Sequence, residues 1–446
     1  MTLRNGALEV EGGSSLQGRV RVPGDKSISH RAILIGAMAE GTSKIRGLSD
    51  GDDVARTARA VTELGAEFDG ENLRGGLDRL HEPSGPLDLG NSGTSMRLLA
   101  GLLASRPWRT ELIGDESLSN RPMDRVAHPL RRMGASVDGF GQSVLPPLTI
   151  TGGPLEAIDY KVPVASAQVK SCVLLAGVCA SGRTVVREPV LTRTHTEELL
   201  GRCGANIHEE FEAVEAVQVV DVVHVVRVRA SKLKPFTLEV PGDPSQAAFW
   251  TVAATVVSGS NVVLERVYVG PARRGFIEIL RRMGASIEET ATTTPDDLAE
   301  TADLTVSSAP LQATEISSEE IPSLDEVPAL AVAASLASGT TVFRDVAELR
   351  VKESDRLIGV AAMVNAFGAR AEVEGDNLFV HGASSLNPAR VDSGGDHRIA
   401  MAAAVAGLAA PKGSSTVIDG WGAVSTSYPG FSADLASLGG QAGEPG

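Results

Sequence analysis

The sequence VPGDKSISHRAIL contains residue types that bind anions at helical spacing. Ser27 and Arg31 are four residues apart, so on a helix they occupy neighbouring positions and can hold one carboxylate together. Lys26 precedes them and adds a third polar group. A second VPGD begins at Val240, but there Pro244 takes the place of Lys26. Because proline can neither bind an anion nor transfer a proton, we assign chemistry to the first copy and a structural role to the second.

A second group of charged residues lies in the sequence KESDR. Its spacing predicts a helix with Lys352 and Arg356 four residues apart and Glu353 between them. Arg398, in GGDHRIAM, offers a second guanidinium group. Two arginine forks are suited to holding a small carboxylate in bidentate fashion. The alternative interpretation is a charged helix face exposed to solvent.

Six polar, mostly charged or glycine-rich segments precede six short apolar segments. They read GDKSISHR, GNSGTSMR, ASAQVKS, GDPSQ, SLDEVP and GGDHR. Free backbone N–H groups at a helix start favour anions, although Ser and Asp also cap helices without any ligand. GNSGTSMR lacks the GK[ST] ending of a Walker loop, and Arg121 in RPMDR could be an ordinary surface arginine. Since five of the six starts carry charged residues or a Gly-Ser/Thr loop, we expect a site shared between two lobes.

The chain repeats itself six times. Six apolar segments, such as AILIGAMAEG and ALAVAASLASG, predict helices that are buried on every side. Six amphipathic helices are each expected to end at a glycine in the left-handed conformation. These glycines are Gly65, Gly134, Gly204, Gly284, Gly368 and Gly439. With the β-branched runs between them, each unit reads β-α-β-α-β-β, so we predict an α/β protein.

The duplicated VPGD marks the start of two groups of three repeats. We therefore predict a first lobe at residues 22–239 and a second lobe at 240–446. The second lobe also takes residues 1–21, whose sequence LEVEGGSSLQGRV predicts a strand. Two chain crossings at matching positions would form a double hinge.

The composition argues against several classes of partner and site. The 41 Lys and Arg residues are outnumbered by 56 Asp and Glu residues, which gives a net charge of −15 and argues against nucleic acid and anionic membranes as partners. Cys172, Cys179 and Cys203 have no metal-ligand spacing, so we expect neither a zinc site nor a disulfide framework. The first residues lack the apolar core of a signal peptide, and no apolar run is long enough to cross a bilayer. We expect a cytoplasmic protein.

Together the motifs resemble one family, the 5-enolpyruvylshikimate-3-phosphate synthases (3-phosphoshikimate 1-carboxyvinyltransferases). The stretches that carry the resemblance occur in the family's order over nearly the whole chain: PGDKSISHRAIL, LGNSGTSMR, NRPMDR, ASAQVKS, LDEVPALAVAA, LRVKESDRL and GGDHRIAM. The resemblance implies an inside-out α/β barrel in each of two lobes, with three repeats per lobe. It implies transfer of the enolpyruvyl group of phosphoenolpyruvate to shikimate 3-phosphate, with release of phosphate. No metal or organic cofactor is expected, and a monomer is the family's usual form.

The resemblance also assigns residues to the two substrates. Those implied for shikimate 3-phosphate are Lys26, Ser27, Arg31, Ser166, Ala167, Gln168, Arg193, Asp325 and Lys352. Those implied for phosphoenolpyruvate are Lys26, Gly93, Arg121, Gln168, Arg356 and Arg398. Asp325 is our candidate base for the attacking hydroxyl, and Glu353 with Lys26 are the candidates for proton transfer at the methylene carbon. The pairing of Lys26 with Glu353, one from each lobe, would make lobe closure a condition for chemistry.

The chain departs from the family at two positions. Thr426 stands where the common form has a lysine that contacts phosphoenolpyruvate, and Glu348 stands where many members have an asparagine. Gly93 matches the members that are inhibited by glyphosate, while Leu98 leaves that sensitivity open. Two alternatives remain, a UDP-N-acetylglucosamine enolpyruvyl transferase and a non-catalytic anion-binding protein of the same fold. The first is disfavoured because no cysteine precedes NRPMDR, and the second because the acid–base groups are retained.

Overall fold

The structure is a computed structural model that describes residues 6–216, 219–270, 273–298 and 300–445. The predicted lobes also include residues 1–5, 217–218, 271–272, 299 and 446, which lie outside the described residues. The α-helices are α1 (Lys26–Met38), α2 (Asp52–Glu63), α3 (Gly93–Leu103), α4 (Glu116–Ser119), α5 (Asp124–Arg132), α6 (Ala167–Gly177), α7 (His195–Arg202), α8 (Pro244–Val256), α9 (Gly275–Arg282), α10 (Val327–Ser335), α11 (Arg356–Ala366), α12 (His397–Leu408) and α13 (Phe431–Ser437). Two 3-10 helices cover Ala347–Val351 and Trp421–Thr426.

Apart from the four-residue α4, the helices are of the two predicted kinds. The buried kind, with apolar residues on every side, comprises α1, α3, α6, α8, α10 and α12. The second kind has one buried face, and each of its helices is followed by a glycine with φ between 77° and 109°. Only glycine adopts this conformation without strain, which is why the helix ends where the sequence predicts. The predicted helix ends at all six glycines are confirmed.

The strands alternate with these helices along the chain. They are β1 (Leu8–Glu11), β2 (Gln17–Val20), β3 (Gly41–Arg46), β4 (Glu67–Phe68), β5 (Asn72–Gly75), β6 (Leu87–Asp88), β7 (Arg109–Ile113), β8 (Ser136–Phe140), β9 (Leu145–Thr151), β10 (Asp159–Lys161), β11 (Arg183–Glu188), β12 (Ile207–Ala216), β13 (Val219–Arg229), β14 (Thr237–Glu239), β15 (Asn261–Tyr268), β16 (Ser286–Ala291), β17 (Thr301–Ser307), β18 (Leu311–Gln312), β19 (Glu315–Ser317), β20 (Ala337–Ser338), β21 (Thr340–Arg344), β22 (Arg370–Glu374), β23 (Asn377–His381), β24 (Arg390–Asp392), β25 (Ser415–Asp419) and β26 (Ala442–Gly443).

Six four-stranded sheets share one pairing pattern, and β18 with β20 forms a short extra pair. In each sheet one pair is parallel and two pairs are antiparallel; for example, β10 is parallel to β11, and β13 is antiparallel to both β11 and β12. The sheets have the orders β14-β3-β5-β4, β6-β7-β9-β8, β10-β11-β13-β12, β16-β17-β15-β2, β19-β21-β23-β22 and β24-β25-β1-β26. The protein therefore has a mixed α/β fold.

The chain divides into two compact units. The first unit comprises Lys26–Val240 and Pro295–Leu298, and the second comprises Met1–Asp25, Pro241–Thr294 and Ala299–Gly446. Each VPGD segment is preceded by a strand that belongs to one unit and followed by a helix that belongs to the other. β2 precedes α1 but pairs with β15 in the second unit, whereas β14 precedes α8 but pairs with β3 in the first unit.

The Pro23–Asp25 and Pro241–Asp243 parts of the two VPGD segments lie side by side within the second unit. Gly24 and Gly242 form an antiparallel bridge. The Asp25 N–H donates to the Pro241 carbonyl (2.7 Å), and the Asp243 N–H donates to the Pro23 carbonyl (2.9 Å). The duplication in the sequence therefore corresponds to a direct pairing of the two copies.

Arg273 binds both aspartates of this pair. Its Nη2 lies 3.2 Å from Asp25 Oδ2 and 2.8 Å from Asp243 Oδ1, and its Nη1 lies 3.4 Å from Glu326 Oε1. All four side chains are at most 5% exposed. Burial alone would lower the pKa of Arg273, but the three carboxylates raise it above its ordinary value. The arginine is therefore fully charged and holds three segments of the chain together.

Within the part of the chain that the structure describes, no helix is long and apolar enough to cross a membrane.

We predict that Arg273→Met lowers the free energy of unfolding by about 3–5 kcal/mol, because it leaves three buried carboxylates without their cation. Urea unfolding followed by circular dichroism measures the change. The control is Arg274→Met, because Arg274 is 39% exposed and its ion pairs with Glu278 and Glu289 are worth at most about 1 kcal/mol. Equal effects of the two substitutions would contradict the prediction.

Candidate functional site

Lys26 is the first residue of α1 and is held by a carboxylate from α2. Its Nζ lies 3.0 Å from Asp53 Oδ2, and the lysine side chain is 17% exposed. Asp53 lies in the first turn of α2, where a negative charge also interacts favourably with the helix dipole. The ammonium group is therefore held in one place while part of it stays accessible to a ligand.

Ser27 and Arg31 contact each other on α1, as the four-residue spacing predicts. Arg31 Nη1 donates to Ser27 Oγ (2.6 Å) and to the Ser27 carbonyl (2.9 Å). Arg31 Nη2 and Nε donate to the hydroxyls of Ser171 on α6 (2.7 Å) and Thr196 on α7 (2.8 Å). The buried guanidinium group thus joins α1, α6 and α7.

The start of α6 adjoins this arginine. Arg31 Nη2 also donates to the Ala167 carbonyl (3.4 Å), and Ser166 caps α6 by accepting a bond from the Val169 N–H. Capping leaves the hydroxyl proton of Ser166 available to an anion. Arg193 is half-buried in residues 189–194, the segment that joins β11 to α7.

A third helix start brings two guanidinium groups close to Gly93. A methyl group placed on Gly93 would lie 3.3 Å from both Arg97 Nη1 and Arg121 Nη1. Arg121 Nη2 donates to Asn91 Oδ1 (2.5 Å) and to Ser117 Oγ (3.2 Å). Two guanidinium groups at the start of α3 therefore lie beside a position without a side chain, where an anion can bind.

Gln168 joins the starts of α3 and α6. Its Oε1 accepts from Arg97 Nη1 (2.6 Å), and its Nε2 donates to Thr94 Oγ1 (2.8 Å). The side-chain amide is therefore oriented by α3 before any ligand binds.

In the second unit, three cations surround the Asp325 carboxylate. Arg356 Nη1 lies 3.4 Å and Lys352 Nζ 3.5 Å from its Oδ1, while Arg398 Nη2 lies 3.5 Å from its Oδ2. Arg398 Nη1 also donates to the Asp325 carbonyl (3.1 Å). The carboxylate thus lies between the two arginines that the sequence predicts for a substrate carboxylate.

Arg356 lies closer to two other carboxylates than it does to Asp325. Its Nε donates to Asp396 Oδ2 (2.9 Å), and its Nη2 donates to Glu353 Oε2 (2.5 Å) and Asp396 Oδ1 (3.2 Å). Burial works against ionisation of Asp396, but the charges of Arg356 and His397 and the hydrogen bond from Arg356 together lower the pKa of Asp396. The pKa of Arg356 is raised above its ordinary value by its carboxylate neighbours, although burial alone would lower it. The orientation of Arg356 is therefore fixed mainly by Asp396.

The predicted helix through Lys352 and Arg356 is wrong. Lys352 has an extended backbone after the 3-10 helix Ala347–Val351, and α11 begins only at Arg356. The reason is Asp355, whose carboxylate caps α11 by accepting a bond from the Ile358 N–H (3.2 Å). Lys352 and Arg356 still reach the same carboxylate oxygen, so the error concerns the backbone alone.

The backbone before Asp325 is strained. Leu324 has φ = 56°, which lies in the left-handed region. This conformation costs a residue other than glycine about 1–3 kcal/mol. The next residue but one, Glu326, is fixed by Ser323 Oγ (2.8 Å) and Ser245 Oγ (2.6 Å). Backbone strain that the surrounding structure maintains is typical of active sites and ligand-binding segments.

The structure therefore brings the predicted residues together in two groups, one in each unit. The first group has the amino-terminal ends of α1, α3 and α6 and can bind phosphate and carboxylate groups; the second combines acids, bases and cations and can transfer protons. Sequence reasoning missed Asp53, Arg97 and Asp396. Arg97 lies in GTSMR four residues after Gly93, so the same spacing rule could have found it.

The chain is similar to proteins of one family over nearly its whole length. Residues 10–435 match the family model described as EPSP synthase (3-phosphoshikimate 1-carboxyvinyltransferase). A 3-phosphoshikimate 1-carboxyvinyltransferase from Synechococcus sp. (strain JA-3-3Ab) is 46% identical over 95% of this chain and 94% of its own length. One from Streptococcus uberis (strain ATCC BAA-854 / 0140J) is 43% identical over 95% and 97% of the two chains.

Solved structures give the same result. An EPSP synthase from Acinetobacter baumannii superposes with a TM-score of 0.83 and 37% identity over 98% of this chain and 100% of its own. The enolpyruvyl transferase NikO from Streptomyces tendae has a TM-score of 0.77 over 99% of each chain at 19% identity, a likeness of fold alone. The chain therefore belongs to the EPSP synthase (3-phosphoshikimate 1-carboxyvinyltransferase) family.

Proposed function

We propose that the protein transfers the enolpyruvyl group of phosphoenolpyruvate to the 5-hydroxyl of shikimate 3-phosphate and releases phosphate. The observation that carries this proposal is the position of Asp325 between Arg356 and Arg398, in a chain of this family. Two guanidinium groups that already hold one carboxylate loosely, at 3.4–3.5 Å, can hold the carboxylate of a substrate instead. Asp325 would then be available as a base.

The reaction proceeds by addition followed by elimination. In the addition step, the methylene carbon of phosphoenolpyruvate takes a proton, and the 5-hydroxyl oxygen bonds to the neighbouring carbon as it loses its own proton. In the elimination step, the bond from that carbon to the phosphate oxygen breaks, and the new methyl group loses a proton to restore the double bond. The steps need a base for the hydroxyl, an acid that becomes a base at the methylene carbon, and cations for the departing phosphate.

We assign Asp325 to the hydroxyl proton and Glu353 with Lys26 to the methylene carbon. Glu353 is bound to Arg356 Nη2 at 2.5 Å, so a substrate carboxylate held by Arg356 would bring the methylene carbon near Glu353. The strained backbone at Leu324 supports the role of Asp325. The pairing of Lys26 with Glu353 stays a prediction.

The first unit supplies the anion-binding groups. Ser27 and Arg31 are assigned to the shikimate carboxylate, and Ser166, Ala167 and Arg193 to its 3-phosphate. Gly93, Arg121 and Gln168, with the additional Arg97, are assigned to the phosphate of phosphoenolpyruvate. The hydrogen bonds among α1, α3, α6 and α7 support this division, because they preorganise the donors before the substrates bind.

Lys352 completes the assignment on the second unit. Its Nζ donates to the Ser323 carbonyl (2.9 Å) and lies next to Asp325, which suits it to a ring hydroxyl of shikimate 3-phosphate. The inside-out barrel in each lobe, the lobe boundaries, the monomeric state and the cytoplasmic location stay predictions. The six sheets of one pattern support the first of these.

The first test is phosphate release from phosphoenolpyruvate by the purified protein. We expect release only when shikimate 3-phosphate is present, and we expect Lys26→Ala to lower kcat by about 10²-fold or more, as for loss of a general acid–base group. The control is Lys161→Ala, because Lys161 is exposed on β10. Release that needs UDP-N-acetylglucosamine instead would favour the alternative transferase, and no release with either acceptor would contradict both.

The second test concerns the base. We expect Asp325→Asn to lower kcat by about 10²–10⁴-fold, because asparagine keeps the shape of the side chain but cannot accept the hydroxyl proton. Steady-state kinetics with both substrates measure the effect. Asp376→Asn is the control, because Asp376 is 60% exposed in the same unit. Unchanged turnover in Asp325→Asn would remove the base assignment.

The third test concerns the space at Gly93. We expect Gly93→Ala to raise the KM for phosphoenolpyruvate about tenfold, because the new methyl group at 3.3 Å displaces the guanidinium groups of Arg97 and Arg121. The KM for shikimate 3-phosphate should stay unchanged. Gly85→Ala is the control, since no atom of the described residues lies within 4 Å of the added carbon there. An equal rise in both KM values would contradict the assignment.

A further inference from the structure

A fully buried lysine lies behind the predicted phosphate-binding residues of the first unit. Lys170 is on α6, one turn after the helix start that contains Ser166 and Ala167. Its Nζ lies 2.6 Å from Glu188 Oε1 on β11 and 2.7 Å from Glu197 Oε1 on α7, and all three side chains are 0% exposed. None of these three residues is used by the reaction as assigned above.

Two more ionisable side chains face the same group. His224 on β13 contacts Glu188 Oε1 through Nδ1 (2.8 Å) and Glu209 Oε2 on β12 through Nε2 (3.1 Å). Burial alone would lower the pKa of His224, but the bonds to Glu188 and Glu209 raise it to about 9. Burial alone would likewise lower the pKa of Lys170, but Glu197 and Glu188 raise it. Both cations are therefore charged at neutral pH, and we call Lys170, Glu188, Glu197 and His224 the Lys170 cluster.

The acidic and imidazole groups of this cluster are close enough together to hold a metal ion. One ligand atom from each of Glu188, Glu197 and His224 lies within 4.8 Å of the others. The Lys170 ammonium, however, makes direct contact with both glutamates and supplies the positive charge that a metal would bring. Because the cluster already contains a cation, metal binding does not explain it.

Stability does not explain the cluster either. Removing charges from water costs several kcal/mol per ion, and apolar side chains of similar size often stabilise a core as well or better. A buried ion pair can instead fix the geometry of the segments that it joins. The Lys170 cluster holds one part of the chain in place.

That part is Thr192, in the segment between β11 and α7. The Thr192 hydroxyl donates to Glu188 Oε2 (2.6 Å), and its N–H donates to Glu188 Oε1 (3.3 Å). The Thr192 carbonyl accepts from Lys170 Nζ (3.4 Å). Three bonds therefore fix the residue that directly precedes Arg193, and one of them comes from the helix that begins with Ser166 and Ala167.

We propose that Lys170 is a positioning residue that sets the distance between Arg193 and the start of α6, and so shapes the pocket for the 3-phosphate of the acceptor. The inference rests on the proposed function, which assigns Ser166, Ala167 and Arg193 to that phosphate. Lys170 touches no substrate in this arrangement and acts through Thr192 and Glu188. It follows that loss of the cluster weakens binding of the phosphate group and leaves the chemical step unchanged.

The test uses Thr192→Val and Lys170→Met. Valine keeps the shape of Thr192 and removes one bond to a charged partner, so we expect the KM for shikimate 3-phosphate to rise about tenfold. Lys170→Met should raise it at least as much. The KM for phosphoenolpyruvate, and kcat at saturating shikimate 3-phosphate, should stay within about twofold. Thr184→Val is the matched control, because Thr184 is equally buried on β11 and its hydroxyl has no hydrogen-bond partner among the described residues.

Calorimetric binding of shikimate 3-phosphate and of unphosphorylated shikimate separates positioning from general damage. Thr192→Val should weaken binding of the phosphorylated compound and leave that of shikimate unchanged, which a merely structural defect would not do. Equal weakening of both compounds, or a fall in kcat with an unchanged KM, would overturn the inference. If Lys170→Met does not fold, Thr192→Val decides the matter. Failure of the unmodified protein to bind or use shikimate 3-phosphate would instead refute the proposed function.

Discussion

The ion cluster around Arg273 is the constraint on which two of the three candidate catalytic residues, Lys26 and Asp325, depend. Arg273 binds Asp25, which directly precedes Lys26, and Glu326, which directly follows Asp325. A single buried cation therefore fixes the backbone one residue away from each group. Asp243, the equivalent of Asp25 in the second VPGD, binds the same arginine, but proline follows it. The first VPGD is thus followed by a candidate catalytic side chain, whereas the second only completes the ion cluster.

Repetition made much of the fold predictable. The six buried helices and the six glycines after the amphipathic helices follow from apolar pattern and backbone freedom, which are local properties of the chain. The duplicated VPGD assigned β2 to the second lobe and β14 to the first, but the strands with which they pair were not predictable in the same way. Each is a strand of three or four residues, and its partner, β15 or β3, lies roughly 190 to 245 residues away along the chain. Sequence alone locates such a strand and does not say which strand it pairs with.

The same distinction applies to the site. Lys26, Arg31, Arg356 and Arg398 could be selected because cations at helix starts have a recognisable spacing. The groups that orient them could not, because Asp53 and Asp396 belong to other elements and meet the cations only after folding. The error at Lys352 has a local cause, since Asp355 both continues a charged pattern and caps the next helix. A charge pattern therefore predicted which side chains meet better than it predicted the backbone that carries them.

The two groups of residues differ in the partners of their cations, and this difference fits the division of labour in the reaction. In the first unit, the bonds described for Arg31, Arg97 and Arg121 go to hydroxyl, carbonyl and amide oxygens, which orient the guanidinium groups. In the second unit, Lys352, Arg356 and Arg398 share Asp325, Glu353 and Asp396, so three cations meet three carboxylates. The first arrangement orients cations at helix starts, which suits phosphate groups, and the second places acids, bases and cations beside one another, which suits proton transfer. An acidic protein can thus bind two anionic substrates, because its net charge of −15 is not the charge at either group.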